Sequence, residues 1–394
     1  MKKIILFSII LVIFCSTLLK AQIPEHVHSI AKVYKPHDWY LKQAELWYKE
    51  IQKDKKNENA WYNYFLANRM AGFEFDNHGD STKKAIDETK YMMSSDSIVS
   101  EVQRLIPNTF TSHYLIWRNH GATPEDFPHL EKAYSINPNF FGINEEMVVY
   151  YETQCNFEKR KEYNIKWFKL NELSFSILSY NYNVLMTTQP NGVIITFGDN
   201  DSFPIWMLQD ALGIRQDVTV LNTSLLCIPN YRAKLFNKLN IPDFNKPFPN
   251  GSEGATSENT DKVFNHILKN KPKDLSLYIG LPAWKKFKDF SQNFYLVGLA
   301  LQYSLDNIDN IALLKNNFEN KYALDYISNS LIYDISGEIA DKMNINYLPG
   351  IFKLYEHYTL SGDLTHAKRI KDMGLIIAQK GGQEWLDKAM SILK

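Results

Sequence analysis

The block spanning residues 191–222 constrains the fold more than any other part of the chain. Asn191-Gly192 is a turn signal, and Val193-Ile194-Ile195-Thr196-Phe197 is a short apolar run rich in β-branched residues. That is how a buried strand reads, because branched side chains pack well on a pleated surface. Gly198-Asp199-Asn200-Asp201-Ser202 follows as a loop, and Phe203-Pro204-Ile205-Trp206-Met207-Leu208-Gln209 opens a helix. Asp201 or Ser202 is expected to cap that helix, with proline in the first turn, where its missing N–H costs nothing. Gly213 ends the helix, and residues 217–222 form the next strand. Strand, acidic loop, helix, strand is a βαβ unit, which joins parallel strands. A polar linker at 245–260 and a helix through Val263 to Leu268 lead to two more apolar runs, 275–280 and 294–299. Three or four short strands with crossing helices predict a small, mostly parallel three-layer α/β module over residues 174–304.

Helical segments flank the module. Tetratricopeptide units repeat at about 34 residues, with small residues where two helices cross and aromatics filling the gap to the next pair. Ala60-Trp61-Tyr62-Asn63 through Ala67 to Gly72 fits the first helix of such a unit with glycine at the turn, and Ala44 and Tyr48 fit a second helix upstream. Gly121, Leu130, Ala133 and Pro138 fit a second unit; Leu354, Tyr358, Gly362 and Ala367 fit a third. Gly362-Asp363 supplies a left-handed turn and restarts the helix. The matches are degenerate, and the stretch between Phe73 and Pro107 fits poorly. Ordinary helical hairpins are the alternative. The expected organisation is 1–21 signal peptide, 22–173 helical, 174–304 α/β, and 305–394 helical; stacked pairs would give a concave surface for a protein partner.

The N-terminus sets the expected compartment. Lys2 and Lys3 precede an apolar run at residues 4–19, which ends at Leu19-Lys20-Ala21. Such a run is shorter than the roughly 20 residues of a membrane span, so cleavage after Ala21 and a periplasmic or secreted mature chain are predicted. An uncleaved anchor is the competing reading. Phe14 puts a ring where a lipoprotein peptidase needs a small residue, which argues against lipidation of Cys15. No later run is long enough to span. Lysine plus arginine equals aspartate plus glutamate at 44 each, so no bulk field recruits nucleic acid or an anionic membrane. Cys155 and Cys227 read as isolated, largely buried thiols in different units, and no cysteine–histidine spacing suggests zinc. His26, His28 and His37 read as solvated, Asp76-Asn77-His78-Gly79-Asp80 as an exposed turn, and Trp206 as core.

The acidic loop admits several chemistries. Asp and Asn after a strand bond to backbone amides and tighten the turn, which is the structural reading. Asp199, Asn200, Asp201 and Asn222 form a candidate polar-ligand site. Hydrolysis needs two carboxylates, or a nucleophile and a base, and the candidates are Asp199, Asp201 and Ser202, with Asn222 or Ser224 from the neighbouring strand end. Asp199 and Asp201 also have the spacing of a divalent-metal pair in nucleotide-sugar transferases. Phe203-Pro204, however, stands where an EF-hand would place further oxygen ligands. No metal site and no cofactor are expected.

The run from Pro190 through Gly198-Asp199-Asn200-Asp201-Ser202-Phe203-Pro204 to Trp206 resembles the soluble C-terminal region of a bacterial family of multispanning membrane proteins, the protein O-mannosyltransferase-like glycosyltransferases. The likeness continues through Gly213-Ile214-Arg215-Gln216-Asp217-Val218 into Asn222-Thr223-Ser224-Leu225-Leu226, with a fainter echo at 298–303. It covers roughly residues 175–304. The resemblance implies an extracytoplasmic accessory module. Mannose transfer is expected in the membrane half of that family, which has no counterpart here, and does not carry over. The expectation is therefore an exported, non-catalytic interaction or scaffold protein of the cell envelope, whose repeats bind a protein partner and whose module binds a polar ligand, a glycan or peptide. The alternative is a glycan-directed enzyme or glycosyltransferase-associated protein acting through Asp199 and Asp201.

Overall fold

A computed structural model describes residues 23–78, 91–121, 123–244, 254–287, 292–328 and 334–394. The expected signal segment, Cys15 and the cleavage point lie outside the described residues. The chain forms two compact units, Met1–Ile30 with Lys35–Ile136, and Ala31–Tyr34 with Asn137–Lys394.

The first unit is helical: α1 (His37–Lys53), α2 (Glu58–His78), α3 (Ser95–Leu105), α4 (Phe110–Asn119) and α5 (Phe127–Ile136). Consecutive helices pack in pairs, α1 with α2 and α4 with α5. Ala44, Ala60, Ala67 and Ala133 are fully buried, as expected where small side chains let helices approach. Tyr48 of α1 lies 5.7 Å from Tyr64 of α2, ring centre to ring centre. Ser94 and Thr109 cap α3 and α4 by accepting from Ser97 N and Ser112 N, so each helix starts where a hydroxyl can satisfy a free amide. Gly121, the glycine of the second repeat match, has φ 84° and makes a left-handed turn before α5. Two expectations fail here. Helix α2 runs straight through Gly72, because an exposed glycine costs a helix only about 1 kcal/mol against alanine. The backbone of Asp76, Asn77 and His78 is helical rather than a turn, and Gly79 and Asp80 lie outside the described residues.

The second unit opens with α6 (Ile143–Thr153) packed on α7 (Phe157–Lys169), followed by α8 (Phe175–Thr187). Next come β1 (Val193–Thr196), α9 (Phe203–Leu212), β2 (Thr219–Asn222), α10 (Pro229–Lys238), α11 (Ser257–Asn270), β3 (Leu277–Gly280), β4 (Phe294–Leu296) and β5 (Ala300–Tyr303). The sheet order is β2-β1-β3-β5-β4. β1 pairs parallel with β2 and β3 over four and three residue pairs, whereas β3–β5 and β5–β4 are antiparallel. The sheet is thus mixed rather than mostly parallel. The cause is local: residues 294–299 do not form one strand but turn at Val297-Gly298, where Val297 N donates to Ala300 O, and return as β5. The expected polar linker also ends earlier, since Thr256 caps α11 by accepting from Asn259 N; residues 245–253 lie outside the described set.

Val193, Ile195, Leu221, Leu277, Ile279 and Leu301 join one buried cluster with Tyr231, Leu235 and Phe236 of α10 and Val263, Phe264 and Ile267 of α11. Ile194, Val220 and Tyr278, which alternate with them, are buried too. Both cysteines belong to this same unit, contrary to the expectation; Cys227 sits in the cluster, Cys155 packs against it, and both are free thiols.

The C-terminal part of this unit is helical again: α12 (Asn310–Asn316), α13 (Gly337–Asn344), α14 (Leu348–Leu360), α15 (Leu364–Gly381) and α16 (Gln383–Ile392). Leu354, Tyr358 and Ala367 are buried, Gly362 has φ 76°, and Asp363 caps α15 by accepting from His366 N, as the spacing predicts. Among the described residues no helix is long and apolar enough to cross a membrane.

Gly374 carries the close approach of α15. A Cβ there would stand 2.8 Å from both Ile351 Cγ2 and Leu393 Cδ1. Gly374→Ala should therefore destabilise the chain by about 1–3 kcal/mol despite alanine's better helix propensity, measured by urea unfolding.

Candidate functional site

The acidic loop sits at the carboxyl end of β1, the position where ligands enter open α/β sheets. Its chemistry is turned inward. Asp201 is buried, and its two carboxylate oxygens accept from Phe197 N at 3.0 Å and Gly198 N at 2.6 Å. Those amides have just left the β1 ladder and would otherwise be unsatisfied. Burial pushes the Asp201 carboxyl up to about 6, against the pull of the two amides.

Ser202 Oγ lies 2.6 Å from Thr196 Oγ1 and accepts from Asn222 Nδ2 at 2.9 Å. Asn222 also donates to Phe197 O, while its Oδ1 accepts from Ser224 N at 2.9 Å and Leu225 N at 3.1 Å. Asn200 donates to Ala31 O at 2.9 Å, and its own carbonyl accepts from Asn181 Nδ2 on α8 at 2.8 Å. Asp199 is exposed. The structure therefore brings Asp201, Ser202 and Asn222 into one bonded set that fastens the end of β1 to the end of β2. The Asp199 carbonyl accepts from Ser202 N at 3.4 Å. Ser202 is the N-cap residue of α9, one of the two expected, but its side chain makes no capping bond: Asp201 turns back to the strand and the Ser202 hydroxyl across to β2. Gly213, at φ 68°, ends α9 as predicted.

The same unit holds a charged cluster that motif reasoning missed. Arg160 of α7 donates to both oxygens of Asp210 of α9, at 2.8 Å each, and to Glu152 Oε2 of α6 at 2.5 Å. Tyr231 Oη of α10 donates to Glu152 Oε1 at 2.5 Å, and Asn164 Nδ2 to Asp210 Oδ2 at 2.7 Å. Burial works against the Arg160 charge, but Glu152 and Asp210 outweigh it, and the net shift is upward. Burial and then Glu152 push the Tyr231 phenol well up. Trp206 is core as expected, and the Arg160 guanidinium lies 5.8 Å from its ring centre. These residues are spread over four helices and share no local spacing. The one signal in the sequence is Asp210, the single charged residue in the largely apolar run of α9.

A second ionic clamp holds the turn before β2. Arg215 donates to Leu185, Thr188 and Gln189 carbonyls and to both oxygens of Asp217. The Arg215 hydrogen bond draws Asp217 down to about 2. Of the three histidines, His26 is exposed as expected, although it stacks on Tyr62 at 6.0 Å and lies edge-on to His28; His28 and His37 are half-buried, and His37 Nδ1 lies 3.0 Å from Ala71 O. Among the described residues, no group of three or more histidine, cysteine or acidic side chains could hold a metal ion.

Residues 177–280, from α8 through β3, match the family described as TMEM260-associated domain 2. No curated protein matches the chain. Among solved structures, yeast Tom70 is similar at 10% identity and a TM-score of 0.27, over 91% of this chain and 58% of that one. A monomeric IFIT1 mutant solved with m7Gppp-AAAA is similar at 13% identity and a TM-score of 0.28, over 85% and 67%. The chain thus spans little more than half the length of Tom70.

Removing the guanidinium leaves two buried carboxylates unpaired, so Arg160→Met should cost about 3–5 kcal/mol in urea unfolding. For Asp201 the native pKa lies above the unfolded value, so the native state holds a proton between about pH 4 and 6 that the unfolded chain has lost. Its stabilising contribution is present below pH 4 and disappears as pH rises through 6. Relative to Asp201→Asn, which does not titrate, the wild-type chain should lose up to about 3 kcal/mol across that window and change no further above pH 7.

Proposed function

We propose that this chain is an exported, non-catalytic interaction protein of the cell envelope, whose tetratricopeptide-like helical pairs dock a protein partner. The observation that carries this reading is an open groove of about 610 Å³ along α15. Leu324, Leu364, Met373 and Ile376 give it apolar walls, and Asp325 and Arg369 set opposite charges within it. Lys368, which also lines it, is paired with Asp372 at 2.6 Å. Leu364 is 72% exposed and Leu360 81%, an unusual cost for two leucines flanking the turn between α14 and α15 unless something covers them. A groove with apolar walls and one charge of each sign suits an amphipathic peptide segment, with side chains anchored by burial and register set by the charges.

The loop at 198–202 fits this reading as a joint. Its bonded set spends Asp201, Ser202 and Asn222 on holding β1, β2 and the start of α9 together. A polar ligand would meet the module at Asp199, which is exposed, and at the half-buried Asn200 beside it. The three-layer build and the three-segment domain plan belong to the same proposal.

Two measurements test it. N-terminal sequencing of the protein from an envelope fraction should read from Gln22; an intact Met1 end in the cytoplasmic fraction would remove the export half. A photo-crosslinking residue placed at Ile376 should yield one discrete adduct in cells, lost on adding Leu364→Asp. No adduct, or the same adduct from a probe at exposed Lys388, would remove the docking half.

A further inference from the structure

Between Ile30 and Lys35, which belong to the first unit, the chain enters the second unit for four residues, Ala31–Tyr34. Contacts of Ala31, Lys32 and Tyr34 tie it there. Ala31 O accepts from the Asn200 carboxamide of the acidic loop at 2.9 Å. Lys32 Nζ meets Glu145 Oε2 of α6 at 3.1 Å and stands 5.4 Å from the ring centre of Trp167 of α7. Lys342 of α13 lies over the Tyr34 ring at 4.2 Å.

Lys32 shows that this path is not an accidental crossing. Its side chain is only 9% exposed, although a lysine on a turn ordinarily keeps its ammonium in water. Burying that charge is costly unless a carboxylate and a π-face meet it, and here both do. Glu172, a second carboxyl beside α7, also acts on the same ammonium. The four residues make no regular secondary structure, so these side-chain anchors hold them rather than a ladder. The segment meets the loop at Asn200. Asn200 has its backbone carbonyl taken by Asn181 Nδ2, and its own Nδ2 donates to Ala31 O, so the segment holds the side chain of this loop residue.

We propose that Ala31–Tyr34 is a strap, seated by the Lys32–Glu145–Trp167 slot, that closes the acidic loop and opens as a unit separate from the sheet. Opening exchanges the Asn200–Ala31 bond for an incoming polar group and leaves β1, β2 and β3 paired. This goes beyond the docking groove and does not depend on it.

Hydrogen–deuterium exchange on the full chain tests the strap. Lys32→Met keeps the apolar stem and removes the charge; Glu145→Gln removes the other half of the same pair. In both variants the amides of Phe197, Gly198 and Ser202 should exchange about tenfold faster, while Ile194 and Ile195 in β1 keep the wild-type rate. Unchanged loop exchange in both would overturn the proposal. So would a rise shared equally by loop and strand, which makes Lys32 a plain stability residue. Should either variant fail to fold, Asn200→Ala decides. It removes only the bond at the loop, and should speed exchange at Val33 and Tyr34 with the strands unchanged; no change there overturns the strap.

Discussion

Arg160 is the residue on which the second unit turns. Its planar fork binds Asp210 with two parallel bonds and Glu152 with a third, and Glu152 in turn receives the Tyr231 hydroxyl. One guanidinium thereby fixes α6, α7, α9 and α10 relative to one another. Arginine is suited to this because its donors are rigid and matched to carboxylate geometry, whereas a lysine would offer a single point charge. A buried ionic set of this kind adds little net stability over a packed apolar core, but it penalises any misregistered arrangement heavily, because each partner left alone is a buried charge. The position of α9 follows from it, and so does the joint that precedes α9.

That joint obeys the same logic with weaker groups. A parallel strand that ends in a turn leaves amides pointing at nothing, and Asp201 meets two of them while Asn222 meets two more beyond β2. On the far side of α8, Asn183 does the equivalent: its side chain accepts from Ala323 N, donates to Ala323 O and donates to Tyr347 Oη, imitating a strand's backbone pairing. The α/β module and the C-terminal helices are thus sewn to α8 by amide side chains rather than by a continuous ladder.

Strand positions, the α9 helix, its glycine stop and the turn at Gly362 were legible in the sequence, because each depends on a pattern contained within a few neighbours. The antiparallel half of the sheet was not. Residues 294–299 read as one apolar run, and only the register of β5 against β3 forces the turn at Val297-Gly298. The direction taken by Asp201 was equally hidden: an aspartate before a helix has two sets of free amides within reach, and composition does not say which wins. The Arg160 cluster lay further still from view, since its bonds join residues about 50 and 79 positions apart in Arg160–Asp210 and Tyr231–Glu152.

The strap has a consequence for how the chain comes together as it is made. Its residues leave the ribosome early, but Asn200 lies 169 positions further along, and Glu145, Trp167 and Lys342 also follow it. The N-terminal stretch must therefore wait, with an unpaired lysine that cannot yet be buried, until the acidic loop and α13 exist. Helices α1 and α2 can pair long before that, because their contacts are local. Seating of four residues near the start of the chain thus becomes one of the last events of folding, a checkpoint passed only when the module behind it is whole.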